Sequence, residues 1–406
     1  AEAYEGAVTA QTGIAIFGGL DCGDLSEWKA TTKHAKVKAK SGELAALRVE
    51  PGTGNVWIGE VDFEGADAAE AGGTSFGAYV ENAGVKLERL SIVAGKGKAG
   101  AAPEAMPDKA ADGTQGNAGK PAVCSNPPST LLGGEPVTSC AGESSSGMGG
   151  VAVLAADGAS GTGGLPFHPS SSSPADGVGG VGGKLNLSPC TPGHDGASGP
   201  DGLGGTGGKS FGSLVNGQYV ASDGEAGNAG LPGQGGGGGG ASAGAAGCIG
   251  ASGGGGGSGG CGGKAGAGGK GGGASIALVV LQSSDAVVLS NVMLGASDGG
   301  DGADGQAGGF GGEVGAGGVF GAGNTGGGVL KGCAGGSGGV GGRGGGGGGG
   351  GGGASIALLF SGKDPLTSPG SGSVQHSVGQ AGKGGLGGAP SAQGGEAGLA
   401  EPVHSL

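Results

Sequence analysis

The chain has 406 residues, of which 119 are Gly, with 13% charged and 3% aromatic residues and a formal net charge of −13. So few large apolar side chains cannot fill an ordinary hydrophobic core along the whole length. The acidic balance argues against a phosphate-binding surface, and so against nucleic acid as a partner.

The longest apolar runs, 274–281 and 286–294, are too short to span a bilayer. Ordered glycine runs need their backbone groups paired, and polyglycine II supplies a way. It is an extended helix with three residues per turn, no internal hydrogen bonds and N–H and C=O groups pointing outward. Side by side, such helices satisfy one another, and glycine is required where a Cβ would hold neighbours apart.

Residues 1–98 form a β-rich region with sparser glycine, read as a cap or first coils; residues 99–406 alternate β coils with glycine-rich arms. Gly13-Ile-Ala-Ile-Phe17 and Leu44-Ala-Ala-Leu-Arg-Val49 read as short strands. In Ala35-Lys-Val-Lys-Ala-Lys40, period two puts Lys36, Lys38 and Lys40 on one face. Asn55–Glu64, taken as one strand, puts Trp57, Val61 and Phe63 on one face and Glu60, Asp62 and Glu64 on the other. As neighbours, these two strands would set a lysine row against a carboxylate row.

Ser75–Glu81, a corner at Asn82-Ala-Gly84 and Val85–Val93 read as strand, corner, strand. The same pattern recurs after Gly271-Gly-Gly-Ala-Ser-Ile-Ala-Leu278, which repeats letter for letter at Gly351-Gly-Gly-Ala-Ser-Ile-Ala-Leu358. Weaker copies are read at 151–155 and 213–221, leaving through Asp157-Gly158 and Asp223-Gly224. About fifty residues of arm between successive copies signal a repeat architecture. The arms carry glycine triplets, as in Gly193-His-Asp-Gly-Ala-Ser-Gly and Gly302-Ala-Asp-Gly-Gln-Ala-Gly308.

These triplet arms resemble the PGRS regions of mycobacterial PE-PGRS proteins and the polyglycine II bundles of phage tail-fibre tips and springtail antifreeze proteins. The coil-plus-arm pattern is similar to large secreted glycine-rich surface proteins of myxobacteria. The resemblance covers residues 96–406, lacks a PE-type helical domain and carries over no functional residue. It implies an exported, surface or extracellular protein.

The seven cysteines, at 22, 124, 140, 190, 248, 261 and 333, form no CxxC and no zinc spacing. They read as disulfides of an oxidising compartment, with Cys124–Cys140 first and Cys248–Cys261 second, Cys333 competing for the latter, and one cysteine left over. Gly299-Gly-Asp-Gly-Ala-Asp304 fits part of a calcium-binding nonapeptide, but Gln306 stands where an apolar residue belongs and no tandem copy follows. Glu60, Asp62 and Glu64 have the residue types of a polysaccharide-cleaving site, and the plainer reading is a lysine-paired strand face. Trp28, Trp57, Phe76 and Tyr79 read as N-terminal core, and His34, His168, His194, His376 and His404 as surface residues.

The resulting expectation is an all-β fold, a right-handed parallel β-helix-like stack of coils with polyglycine II arms. The alternative is an N-terminal β-sandwich with a separate glycine bundle. The expected function is non-enzymatic: a structural or adhesive surface protein, in its specific form a self-assembling fibre subunit, without cofactor or metal. The runner-up is an adhesin tip that binds a cell-surface glycan or receptor, followed by a β-helix carbohydrate enzyme.

Overall fold

The computed structural model describes residues 3–21, 29–168, 173–185, 188–215, 217–283 and 287–406. Cys22, Trp28 and Asn186 of a formal glycosylation sequon lie outside them. The structure is all-β, and its two main sheets are parallel.

The first sheet takes Val8–Ala10, Ala45–Val49, Ser75–Glu81, Ser275–Ser283, Ser355–Gly362 and Ala400–Ser405. The second takes Tyr4–Glu5, Ala35–Lys38, Val61–Glu64, Gly84–Val93, Val287–Gly295 and Val374–Ser377, with Ala15–Phe17 and Asn55–Gly59 joined alongside. The chain passes from a strand of the first sheet to one of the second, then returns. Each such pair makes a coil, and coils stack in register: Phe76 lies beside Ile276, and Ile276 beside Ile356.

The two sheets enclose Leu47, Val49, Ile58, Phe63, Val80, Leu87, Ile92, Leu278, Leu289, Leu294 and Leu358, all essentially buried. Burying one such side chain contributes about 1.5–3 kcal/mol. The outer side of the first sheet is buried as well. Phe76, Tyr79, Ile276, Val279, Ile356 and Leu359 lie under Phe211, Leu214, Tyr219 and Leu399.

Strands from the N-terminal region share both sheets with strands from 275 onwards, so a sandwich confined to residues 1–98 does not describe the fold. Two weaker sequence copies are not coils. Ser213–Val215 and Gln218–Val220 form an antiparallel hairpin that covers the first sheet, and Ala152–Val153 pairs antiparallel with Thr130–Leu131. Both are short: the hairpin packs on the first sheet through Leu214 and Tyr219, and Ala152 packs on Ala241 and Ile249 of the arms.

A row of buried serines ties coil entry to coil exit. Ser75 Oγ accepts from Gly95 N, while Ser275 Oγ donates to Gly95 O at 2.7 Å and accepts from Ser297 N at 2.8 Å. Ser355 Oγ donates to Ser297 O and accepts from Gly379 N. The serine of the repeated octapeptide therefore satisfies backbone groups where the chain leaves the sheet for an arm.

The arms bond to each other with a three-residue period. In segment 333–353, Gly335, Gly338 and Gly341 donate to the carbonyls of Gly318, Gly315 and Gly312. The next phase, Gly336, Gly339 and Gly342, donates to Gly237, Gln234 and Leu231, and the third, Gly346, Gly349 and Gly352, to Pro390, Gln393 and Glu396. Three further segments donate inward: Gly257 and Gly260 to Gly336 and Gly339, Gly199 and Gly202 to Val340 and Arg343, and Gly388 and Gly385 to Gly347 and Gly350. Segments 224–244 and 249–272 are bonded outward with the same period. A period of three with every bond leaving the segment is the geometry of an extended threefold helix.

Glycine is demanded by this packing. At Gly345 the N–H goes to Asn228 O at 2.8 Å and the carbonyl accepts from Gly266 N at 2.9 Å. A Cβ there would fall on the carbonyl of Leu203 in a third segment. Where a segment lies at the bundle edge, an outward N–H is capped by a side chain. Asp298, Asp301 and Asp304 accept from the backbone N–H of Gln380, Lys383 and Leu386 at 3.0, 2.7 and 2.6 Å. Asp301 and Asp304, the acidic residues of the partial calcium motif, are thus bundle caps.

Three disulfides cross-link the arms: Cys124–Cys248, Cys140–Cys261 and Cys190–Cys333, with Cα–Cα distances of 4.1, 5.2 and 5.9 Å. The four cysteines singled out from sequence are all paired, but the Cys124–Cys140 and Cys248–Cys261 pairings are replaced. For Cys124–Cys248 the cause is the antiparallel alignment of two segments, in which Ile249 N bonds Val123 O and Cys261 N bonds Ala111 O, while Cys140 is brought to Cys261 by Ser139 Oγ donating to Gly259 O and Ser144 Oγ accepting from Gly259 N. Residues distant in sequence are thereby laid side by side. Cys333 takes Cys190, since Cys333 and Thr191 both bond to Gly240.

Candidate functional site

The outer face of the second sheet is the face with clustered chemistry. Its shape is set by a stacked bend. Glu60, Arg89 and Asn291 have φ of 57°, 50° and 53°, a left-handed conformation that non-glycine residues seldom adopt. The register puts them in one row. Gly59 pairs with Glu88 and Glu88 with Ser290, so the next residue of each strand aligns, and Val292 pairing with Val374 extends the row to Ser373.

Each bend shifts the inside–outside alternation by one residue. Val56 and Ile58 point in before the bend and Val61 and Phe63 after it. This corrects the reading of Asn55–Glu64 as one unbroken strand. Trp57 lies on the outer face, 42% exposed, while Phe76 and Tyr79 are buried. The Trp57 ring meets Phe17 edge-on at 4.8 Å, carries Lys86 Nζ 4.6 Å from its centroid, and donates from Nε1 to Glu88 Oε2 at 3.2 Å.

The lysine row and the carboxylate row do face each other. Lys36 lies beside Asp62 and Lys38 beside Glu64 in register, and both lysines pair with Glu64. Glu60 is held by Arg89, which also reaches Glu88. His34 bridges the other two carboxylates, Nδ1 to Asp62 Oδ1 at 2.9 Å and Nε2 to Glu60 Oε2 at 3.0 Å. Asp62 Oδ1 also accepts from the Ser91 backbone N–H at 2.8 Å.

Burial alone would raise the Asp62 carboxyl, but the His34 and Ser91 hydrogen bonds outweigh it and hold it below the ordinary aspartate value. The Lys36 ammonium, with Lys38, likewise holds Glu64 below the ordinary glutamate value. Hydrolysis by a carboxylate pair needs one member pushed up to act as acid. Here Asp62 and Glu64 are both pushed down.

Beyond the bend, a cavity of about 460 Å³ opens on the same face. It runs across four strands and is lined by His34, Asp62, Arg89, Asn291, Met293 and Gln375, among others. Leu90 and Val292 turn their side chains into the core, so between the outward side chains the groove floor is strand backbone. A smaller cavity of about 320 Å³ lies on the other side of the bend, beside Trp57, Lys86 and Val288.

His34 was read from sequence as an ordinary surface residue, and only the fold brings it to Glu60 and Asp62. His168 is buried, with Nε2 2.9 Å from Pro232 O. His404 pairs with Glu401 at 2.9 Å and stacks near Phe211. Among the described residues no group of three or more His, Cys, Asp or Glu could hold a metal ion. Among the described residues no helix is long and apolar enough to cross a membrane. The chain matches no family model, no curated protein and no solved structure.

Proposed function

We propose that this chain is an exported structural or adhesive protein of the cell surface or extracellular space. In this reading a right-handed β-helical stack of coils carries a rigid bundle of polyglycine II arms. The observation that carries it is the arm bundle: long glycine segments held on all sides by backbone hydrogen bonds and cross-linked by three disulfides. Such a bundle devotes its sequence to close approach and rigidity. Disulfides of this kind persist in oxidising compartments. A segment of 249–272 at about 3.1 Å per residue is roughly 70 Å long, enough to stand well clear of the coils.

The specific form of this reading is a fibre subunit. A stack of parallel coils is extended by any strand of the same direction added along its axis, which is a heterologous contact that does not close. Negative-stain electron microscopy beside size-exclusion chromatography tests it. Regular filaments with a repeat near one subunit length are expected, and dispersed monomers at all concentrations would rule the fibre out. The carbohydrate-enzyme reading is weakened by the ion pairs. An Asp62→Asn variant of a polysaccharide-cleaving enzyme would lose activity, whereas in the structural reading it removes only the carboxylate charge that faces His34 and the Ser91 N–H.

A further inference from the structure

The outer faces of the two sheets differ. That of the first is closed by the hairpin and Leu399, whereas that of the second is open and carries both cavities described above. Its charges are mutually satisfied: His34 and Arg89 lie against Glu60 and Asp62, and Lys86 against Glu88. A face balanced in this way offers little to an ionic ligand.

What remains unengaged is neutral. Asn291 accepts from Ser373 Oγ through its amide oxygen at 2.7 Å, and its amide nitrogen has no partner among the described residues. Neither end of the Gln375 amide has a side-chain partner among them. Asn291 and Gln375 lie on adjacent strands, with the exposed Met293 thioether beside Gln375 in register as the apolar side chain the groove presents. Amides that donate and accept, set beside an exposed thioether, match a ring with hydroxyl edges and an apolar face. From Val61–Glu64 to Val374–Ser377 the groove crosses three inter-strand spacings of about 4.8 Å, roughly 14 Å, the span of a short oligosaccharide.

We propose that this groove binds a neutral oligosaccharide, laid across the strands along the stacking axis and held by Asn291 and Gln375. The inference does not depend on the structural reading above. Loss of the glycan site leaves the arm bundle and any filament intact, so the two fail separately.

Isothermal titration calorimetry of the intact, disulfide-bonded chain with cellotetraose, maltotetraose and N-acetylchitotetraose tests it, with tetragalacturonate as the acidic comparison. Saturable binding of at least one neutral tetrasaccharide is expected, tighter than that of tetragalacturonate. Asn291→Ala and Gln375→Ala should each weaken it about fivefold, the equivalent of one hydrogen bond of about 1 kcal/mol. Gln375 is exposed on a short strand, so its variant reads binding even if the change at the left-handed Asn291 perturbs the fold. Leu203→Ala, on an arm, should change nothing. The proposal fails if no neutral tetrasaccharide binds, if the acidic one binds more tightly, or if binding is unchanged in the Gln375→Ala chain.

Discussion

Gly345→Ala isolates the reason for glycine in the arms. The new methyl group would coincide with the Leu203 carbonyl, which accepts from Asn228 N at 2.8 Å. The neighbouring segment is backbone on that side and cannot rotate away as a side chain would. Overpacking of this kind costs about 2 kcal/mol. Displacing the segment also weakens the bonds Gly345 N to Asn228 O, Gly266 N to Gly345 O and Asn228 N to Leu203 O, at about 1 kcal/mol each. The stiffer unfolded chain offsets roughly 0.7 kcal/mol. The net loss is about 4 kcal/mol, close to a thousandfold in the local opening constant. Hydrogen exchange read by mass spectrometry on peptides from 193–209, 221–244 and 333–353 measures it. Gly326→Ala is the control, since its Cβ would meet only Asn324 Oδ1 at 3.5 Å, and its effect should stay within about 0.5 kcal/mol. Equal exchange in the Gly345→Ala and Gly326→Ala chains would refute the close-packing argument.

Ser275→Ala leaves Gly95 O and Ser297 N without their partner in a buried place, at a cost of about 1–3 kcal/mol, measurable by urea unfolding. Acid should loosen the bundle edge and the carboxylate face. The backbone N–H of Gln380 and that of Leu185 hold Asp298 and Asp157 below the ordinary value, Lys109 does the same for Asp112, and His34 and Ser91 outweigh burial at Asp62. Each folded pKa lies below its unfolded one, so this stabilisation is complete above about pH 4 and is lost as pH falls through the folded values. Thermal melts between pH 6 and pH 2 should show the loss, and a flat profile would contradict it. Peptide mapping without reduction should recover Cys124–Cys248, Cys140–Cys261 and Cys190–Cys333. Reduction removes crosslinks spanning 124, 121 and 143 residues, each contributing about 2–5 kcal/mol, and should lower the melting temperature.

Much of the two parallel sheets was legible because strands announce themselves locally. The repeated octapeptide places Ser275 on Ser355 and Ile276 on Ile356, and the period-two lysines do meet the carboxylates. The stacked bend was legible too but went unread. Val56, Ile58, Val61, Phe63 share their spacing with Val85, Leu87, Leu90, Ile92 and with Val287, Leu289, Val292, Leu294, and the two-residue gap marks the left-handed residue in each. Reading one strand alone sent Trp57 inward; comparing three sends it out.

The cysteine pairing was beyond sequence proximity, because partners are chosen by which segments lie against one another in the bundle rather than by the loop between them. The weaker copies at 151–155 and 213–221 had the strand residues of a coil but not its second sheet partner. His34 gave no signal at all: its role exists only once Val61–Glu64 lies beside Ala35–Lys38.

The glycine arms are threefold helices whose backbone hydrogen bonds leave the segment for its neighbours and never close within it. Scalar couplings across hydrogen bonds, measured by NMR on the deuterated chain, test it most directly. The amide nitrogens of Gly342, Gly345 and Gly348 should couple to the carbonyl carbons of Leu231, Asn228 and Glu225, stepping by three in opposite directions. Couplings within 333–353 itself, or none anywhere along it, would contradict the account.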